Sequence, residues 1–477
     1  MSVQTITRVD ATRADATRAD VIGPDAIRTL FSTSMSEMYR TEVPAYQTLV
    51  ELVEEVNAAL LAADPAERHR LDSTGGLARI TEERHGAIRL GTADELSTMR
   101  RLFAVMGMQP VGYYDLSEAG VPVHSTAFRP VDGEALSRNP FRVFTSLLRL
   151  DLIADAALRQ EAETVLAARS IFTPGCLALI ERAEADGGLD EEDAGRFVAE
   201  ALETFRWHSR ANVPLDLYNR LHDAHRLIAD VVSFKGPHIN HLTPRTLDID
   251  AVQRLMPEKG IAPKAVVEGP PTRRCPILLR QTSFKALSEP VDFQASDSEG
   301  DGWRSGVHTA RFGEIEQRGI ALTPKGRALY DTLLQDSRRL VAPAADGSNA
   351  AQYMAALQEV FAPFPDSWDG IRRQGLGYFS YSLTEAGRRS PPAPGADLET
   401  LIGSGAVRFD PVVYEDFLPV SAAGIFQSNL GDEAQQDFAA SPNQQRFEAD
   451  LGAQVLNPFD LYAEIERASI AACLAAK

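Results

Sequence analysis

Two histidines open near-matching segments of this chain. HGAIRLGTADEL begins at His85 and HLTPRTLDIDAV begins at His241. Each histidine has an arginine four residues on, Arg89 and Arg245. A neutral imidazole is a common metal ligand, and a guanidinium is a fixed fork that suits a carboxylate. On a strand, positions i and i+4 share a face. Each segment therefore could turn a metal ligand and an anion contact to the same side. A carboxylate to complete the set lies in RFGEIEQRG, at Glu314. Glu316 shares its strand face and is a rival ligand. Two histidines and one carboxylate make the facial triad that suits non-haem Fe(II), with positions left open for substrate and oxygen.

The elements around these residues match as well. Thr92 and Asp248, seven residues after the histidines, are N-cap types, and Thr92 with Glu95 predicts a capping box. Helix-spaced apolar residues follow in both halves, then Gly107 and Gly260 where a C-cap glycine belongs. Pro110 and Pro263 come three residues later, then the strand-like runs VGYY and KAVV. VHSTAF from Val123 and VHTARF from Val307 extend the match, pairing His124 with His308 and Phe128 with Phe312. In that alignment Pro130 stands where Glu314 stands, so one half alone supplies the carboxylate. Each half reads βαβββ, and repeats of this kind imply a duplicated unit. Two such modules side by side form a cupped sheet, with His85 and His241 facing each other near a pseudo-twofold axis. His238 has Glu82 at its matching place and reads as a flanking or supporting residue.

The fold class expected is α+β. Residues 1–26 read as a mobile tail and 27–137 as the first module with preceding helices. Residues 138–234 read as a helical insertion, 235–330 as the second module, and 331–477 as a C-terminal region closing the site. The formal charge of −19 repels a nucleic-acid backbone and requires a local basic pocket for any anionic substrate. The sequence shows no apolar run of membrane-spanning length. Three distant cysteines, Cys176, Cys275 and Cys473, argue against a disulfide framework or a cysteine zinc site and point to a reducing cytoplasm.

Other residues carry plainer readings. His124 and His308 are expected to be structural or to orient ligands. His222 and His225 are expected on a solvated helix face, and Arg245 in a structural ion pair. The acidic loop 296–302 lacks the spacing of a calcium-binding loop.

The two-module arrangement resembles the vicinal oxygen chelate superfamily. The segment from Phe312 to Arg318 resembles the closing strand of 4-hydroxyphenylpyruvate dioxygenase and hydroxymandelate synthase. From about 30 to 470 the chain resembles the 2-oxoadipate dioxygenase/decarboxylase family, through ERHGAIRLGT, PVGYYDLSEAGVPVHSTAFRPV, HINHLTPRTLDID, HTARFGEIEQRGIALTPKGRALYD and FLPVSAAGIFQSN. The resemblance implies His85, His241 and Glu314 as iron ligands, Arg89 as a substrate-carboxylate contact, and Val420 with Ser421 in the pocket wall. It implies Fe(II)-dependent oxidative decarboxylation of 2-oxoadipate by O2 to 2-hydroxyglutarate, the D form, in lysine catabolism. Glu316 departs from the hydroxyphenylpyruvate relatives, where that position is apolar. The competing readings are a redox-inert metal isomerase or lyase, and a protein that binds a 2-oxo acid without turnover.

Overall fold

A computed structural model describes residues 21–73, 76–82, 84–295, 302–344, 347–390, 395–418 and 442–475. The fold is α+β. Its main sheet has seven strands in the order β2-β3-β4-β1-β6-β10-β7 and curls into a half-barrel. In the first module, β1 (Arg84–Leu90) leads through the helix Ala93–Val105 to β2 (Gln109–Asp115), β3 (Val123–Arg129) and β4 (Arg142–Leu148). β4 returns to lie parallel to β1. In the second, β6 (His241–Pro244) leads through the helix Ile249–Leu255 to β7 (Leu279–Ser283), and β10 (Phe312–Arg318) returns parallel to β6.

The seam between the modules carries the duplication in its register. β1 and β6 run antiparallel, with His85 opposite Thr243, Gly86 opposite Leu242 and Arg84 opposite Pro244. Gly86 and Leu242 each follow a matched histidine, so the pairing is centred on two repeat partners, as a local twofold requires. A Cβ on Gly86 would meet Ile239 Cδ1 at 2.5 Å and His241 O at 3.1 Å, so the close crossing needs a glycine there.

Local chemistry behaves as read at the helix ends. Thr92 Oγ1 accepts from Glu95 N, and Asp248 Oδ1 accepts from Ala251 N. The capping box is half formed: the Glu95 carboxylate reaches past Thr92 to Gly91 N, because Arg169 also pairs with it. Gly107 and Gly260 have φ of 69° and 75° at the ends of their helical segments.

Four expectations need correction. The stretch 138–234 is not wholly helical: it contains β4, which completes the first module, and β5 (Arg210–Pro214). FRVFTSLLRL mixes apolar and polar residues without clean alternation, and periodicity cannot separate a doubly buried strand from a buried helix. Second, the match of VHSTAF with VHTARF is not topological. β3 pairs with β4, and its equivalent is β7. VHT instead ends β9 (Trp303–Thr309), which forms a separate three-stranded sheet with β8 (Ser288–Gln294) and β5. The β8–β9 hairpin is therefore an excursion between β7 and β10, and His124 and His308 are not equivalent. Third, KAVV only bridges to the sheet edge, through Pro263–Phe284 and Glu268–Gln281. Fourth, the N-terminal helix already begins at Pro24, inside the stretch read as a tail. Residues 1–20 of that tail and the acidic loop, Gly302 apart, lie outside the described residues.

The sheet is covered on both faces. Ile88 and Leu90 of β1 join Phe31, Leu49 and Phe103 in one core with the helices Pro24–Glu42 and Pro44–Ala63. The opposite face of β1 carries His85, Ala87 and Arg89, as strand alternation dictates. Each apolar side chain so buried contributes about 1.5–3 kcal/mol. A third core joins Ile277, Leu279 and Ile320 to the C-terminal β11 (Phe379–Leu383), β12 (Val407–Pro411) and the helix Pro458–Ala475.

Candidate metal centre and anion pocket

β1, β6 and β10 are neighbours in the sheet, so His85, His241 and Glu314 project from adjacent strands into one space. All three are fully buried. Their ligating atoms lie within 4.8 Å of one another. His85 Nε2 is 3.1 Å from Glu314 Oε1, and His241 Nε2 is 3.9 Å from that oxygen. Gln281 Nε2 on β7 and Thr243 Oγ1 on β6 donate to the same oxygen at 2.7 and 3.3 Å. Among the described residues, both ring nitrogens of His241 and Glu314 Oε2 have no hydrogen-bond partner. Buried polar atoms left unmatched are costly, and unmatched atoms on two of three clustered ligand-type side chains fit a cation held between them. The donor set of two imidazoles and one carboxylate fits Fe(II).

Glu316 is placed differently. Its Oε2 lies 2.9 Å from His85 Nδ1, on the far side of the imidazole. Arg318 holds both its oxygens, at 2.7 and 2.8 Å, and Arg142 reaches it at 3.4 Å. Burial alone would raise the Glu316 carboxyl; Arg318, His85 and Arg142 outweigh it and hold it at about 2. A carboxylate at that distance favours the proton on His85 Nδ1 and leaves Nε2 on the side of Glu314. Burial disfavours a charged His85, but Glu316 and Glu314 outweigh it and raise its affinity for a proton. His241 is driven well below its ordinary value by burial, His85 and Arg89.

The reason one half alone supplies a carboxylate also differs from the sequence reading. β10 places Phe312 opposite His241, and β4 places Arg142 opposite His85. Glu314 therefore corresponds to Phe144, not to Pro130. Phe144 packs on Phe417, whose ring also meets His85 at 4.9 Å. Glu415, paired with Arg79 and Arg142, and Asp416, paired with Arg129, pin this C-terminal segment over the centre. Val420 and Ser421 lie outside the described residues.

Beside the centre is a cavity of about 230 Å³. Arg89, Arg226, Lys264 and Lys285 line it, with Asp230 as the one acidic residue among the described ones. Phe312, its ring tilted 33° and 4.8 Å from the His241 ring, lines the cavity on the side of the centre. Burial pushes the Lys264 ammonium down to about 7, against the pull of Glu268 and Glu314. This is the local basic pocket that the acidic chain requires of any anionic substrate.

The other predicted residues fall elsewhere. His308 Nε2 and His238 Nε2 lie 2.8 and 3.3 Å from Asp230 Oδ1. The other oxygen of Asp230 takes Arg89 Nη1 at 2.6 Å. His225 is not on a helix face: it separates two helices and caps the second, its Nδ1 accepting from Leu227 N. His124 is buried against Phe447. Arg245 is buried, and its carbonyl accepts from Asn57 Nδ2. Sequence reasoning missed Asp230, Arg226, Lys264, Gln281 and Arg142. Asp230 had a signal, an acid inside the apolar run LIADVVSF.

The chain matches the family model described as 2-oxoadipate dioxygenase/decarboxylase over residues 31–429. It is 60% identical over 454 residues to the 2-oxoadipate dioxygenase/decarboxylase of Pseudomonas putida, covering 95% of this chain and 97% of that one. The enzyme of the same name from Escherichia coli is 56% identical, with coverage of 95% and 98%. Among solved structures, hydroxyglutarate synthase from Pseudomonas putida in complex with 2-oxoadipate superposes with a TM-score of 0.88 at 58% identity, covering 96% of this chain and 99% of that one.

Proposed function

The chain belongs to the 2-oxoadipate dioxygenase/decarboxylase family, and from that premise we propose that it is a non-haem Fe(II) enzyme converting 2-oxoadipate and O2 to 2-hydroxyglutarate and CO2. The observation that carries the reading is a buried His85–His241–Glu314 cluster with unmatched donor atoms beside a cationic cavity. C1 of the substrate leaves as CO2, C2 becomes the new carboxylate and C3 gains the hydroxyl. The two oxygen atoms added come from O2, so the equation balances without a co-substrate.

His85, His241 and Glu314 would hold the metal, and bound Fe(II) would supply the oxygen activation and electron transfer. The chain's own side chains do the rest. Glu316 keeps the proton on His85 Nδ1. Gln281 and Thr243 fix the rotamer of Glu314, with Oε1 facing both histidines and Oε2 unmatched. Arg89 takes the distal carboxylate through its planar fork, and Arg226, Lys264 and Lys285 make the cavity attractive to a dianion. Phe417 and Phe144 exclude water from the His85 side. Val420 and Ser421 are assigned to the pocket wall on the family likeness alone. The D product, a place in lysine degradation and a cytoplasmic setting belong to the same proposal. The three cysteines are free and buried, as a reducing compartment allows. Among the described residues no helix is long and apolar enough to cross a membrane.

The test is oxygen uptake by metal-stripped protein reloaded anaerobically with Fe(II) and then mixed with 2-oxoadipate in air. Uptake should need both iron and the acid, and His241→Ala should abolish it together with iron binding. Iron bound without uptake, on 2-oxoadipate or its homologues, would leave a redox-inert enzyme or a binding protein.

A further inference from the structure

We infer that Asp230 is a positioning residue for Arg89, held in place by His308, His238 and Tyr218, and that it sets the length of dicarboxylate the cavity accepts. This rests on the functional reading above. Four separate segments build the cluster around one buried carboxylate. Asp230 comes from the helix Arg226–Ser233, His308 from the β8–β9 excursion, and His238 from the link into β6. Tyr218, on the helix Leu215–Ala224, places its hydroxyl 2.9 Å from His308 Nδ1. Trp207 stacks against the His308 ring at 11° and meets His238 edge-on. His238 has a φ of 23°, in a region that costs a non-glycine residue energy and persists only where its surroundings enforce it.

These same three residues, Asp230, His238 and His308, have ligating atoms close enough together to hold a second metal ion. The hydrogen bonding favours a different role. Oδ1 of Asp230 already faces two ring nitrogens, and Oδ2 takes the guanidinium. The second nitrogen of His308 is engaged by Tyr218. An added divalent ion would have to displace these donors and sit beside the Arg89 cation. Tyr218, His308, Asp230 and Arg89 form a continuous hydrogen-bonded relay, while His238 Nε2, 3.3 Å from Asp230 Oδ1, makes no hydrogen bond among the described residues. Burial would raise the Asp230 carboxyl, but Arg89, His238 and His308 outweigh it and hold it charged.

The consequence is for reach. Arg89 lies four residues beyond His85 on one face of β1, about 13 Å along the strand. Its side chain is long and flexible, and it shares the cavity with Arg226 and Lys264, which repel it. Asp230 fixes where the guanidinium ends, and so the distance from the metal centre at which a distal carboxylate is received. Arg226 lies on the same face of the same helix, four residues before Asp230. One helix thus presents both the tether and a second cation.

The experiment compares kcat/KM for 2-oxoadipate with that for its five- and seven-carbon homologues, using the Fe(II)-loaded protein, and measures affinity for each acid anaerobically by calorimetry. The ratio between homologues reads position; either constant alone does not, because Asp230→Asn also removes a negative charge and so attracts every dicarboxylate more strongly. Discrimination by one methylene is worth roughly 10- to 200-fold. Asp230→Asn should lower the wild-type ratio about tenfold in both turnover and binding, with iron content unchanged. Tyr218→Phe, two hydrogen bonds further out, should lower it about two- to threefold and carries the test should Asp230→Asn not fold. Unchanged ratios in a folded variant overturn the inference alone. Two iron ions per wild-type chain, falling to one in Asp230→Asn, overturn it in favour of a second metal site. Wild-type protein that turns over none of the acids sinks the functional reading and this inference with it.

Discussion

Two glutamates one turn of the pleat apart do different work. Glu314 meets both histidines, whereas Glu316 lies behind one of them between Arg318 and Arg142. Glu314→Gln should abolish tight iron binding. Glu316→Gln should leave the ligands in place and weaken iron affinity about 10- to 100-fold, read by anaerobic Fe(II) titration. It also breaks the buried Arg318–Glu316 pair, at a cost of about 3–5 kcal/mol in urea unfolding. Equal losses of iron from both variants would reverse the assignment. The histidines and Arg89 were legible because the repeat places them at fixed local spacing. Which glutamate faces the histidines was not, since alternation puts both on one face. Only the packing of Arg318 and Arg142, from two strands, separates them.

The strand β3 shows what an element-level reading can and cannot deliver. Its register beside β4 was hidden, because β4 looked like the start of a helical run and VHTARF mimicked β3 locally. The helix caps were legible because they depend on neighbouring residues alone. His124 on β3 makes a testable consequence of its true placement. Burial, then Arg149, pushes it down to about 4 in the folded protein. The unfolded chain protonates near 6.5, so unfolding takes up a proton between these values. Stability contributed by neutral His124 is therefore present above pH 6.5 and lost as pH falls through about 4. Between pH 7 and 5 this amounts to about 2 kcal/mol. Urea midpoints should show the wild type losing that advantage over His124→Gln on acidification; a gap that does not change with pH would refute the placement.

At the scale of the whole molecule, two charges compete. The chain carries −19, yet its cavity is lined, among the described residues, by two arginines, two lysines and one carboxylate. Screening acts over about 30 Å at 0.01 M salt and about 8 Å at 0.15 M. Added salt should remove the distant repulsion and spare the close cavity contacts. The kcat/KM for 2-oxoadipate should therefore rise over that range; a steady fall would mean that the cavity's field dominates even at long range. Composition foretold the need for such a pocket. It could not say where, because Arg226, Lys264 and Lys285 come together with Arg89 only through the return of the second module against the helix Arg226–Ser233.

The register across the seam, centred on Gly86 and Leu242, sets Glu314 against Phe144 as opposite numbers. A perfectly symmetric pair of modules would flank its two histidines with identical groups and accept an elongated guest equally well either way round. Here one flank is a carboxylate and the other an aromatic wall. The centre has acquired a front and a back. A molecule with a keto acid at one end and a plain carboxylate at the other then has a single productive orientation, and with it a single face exposed to reaction.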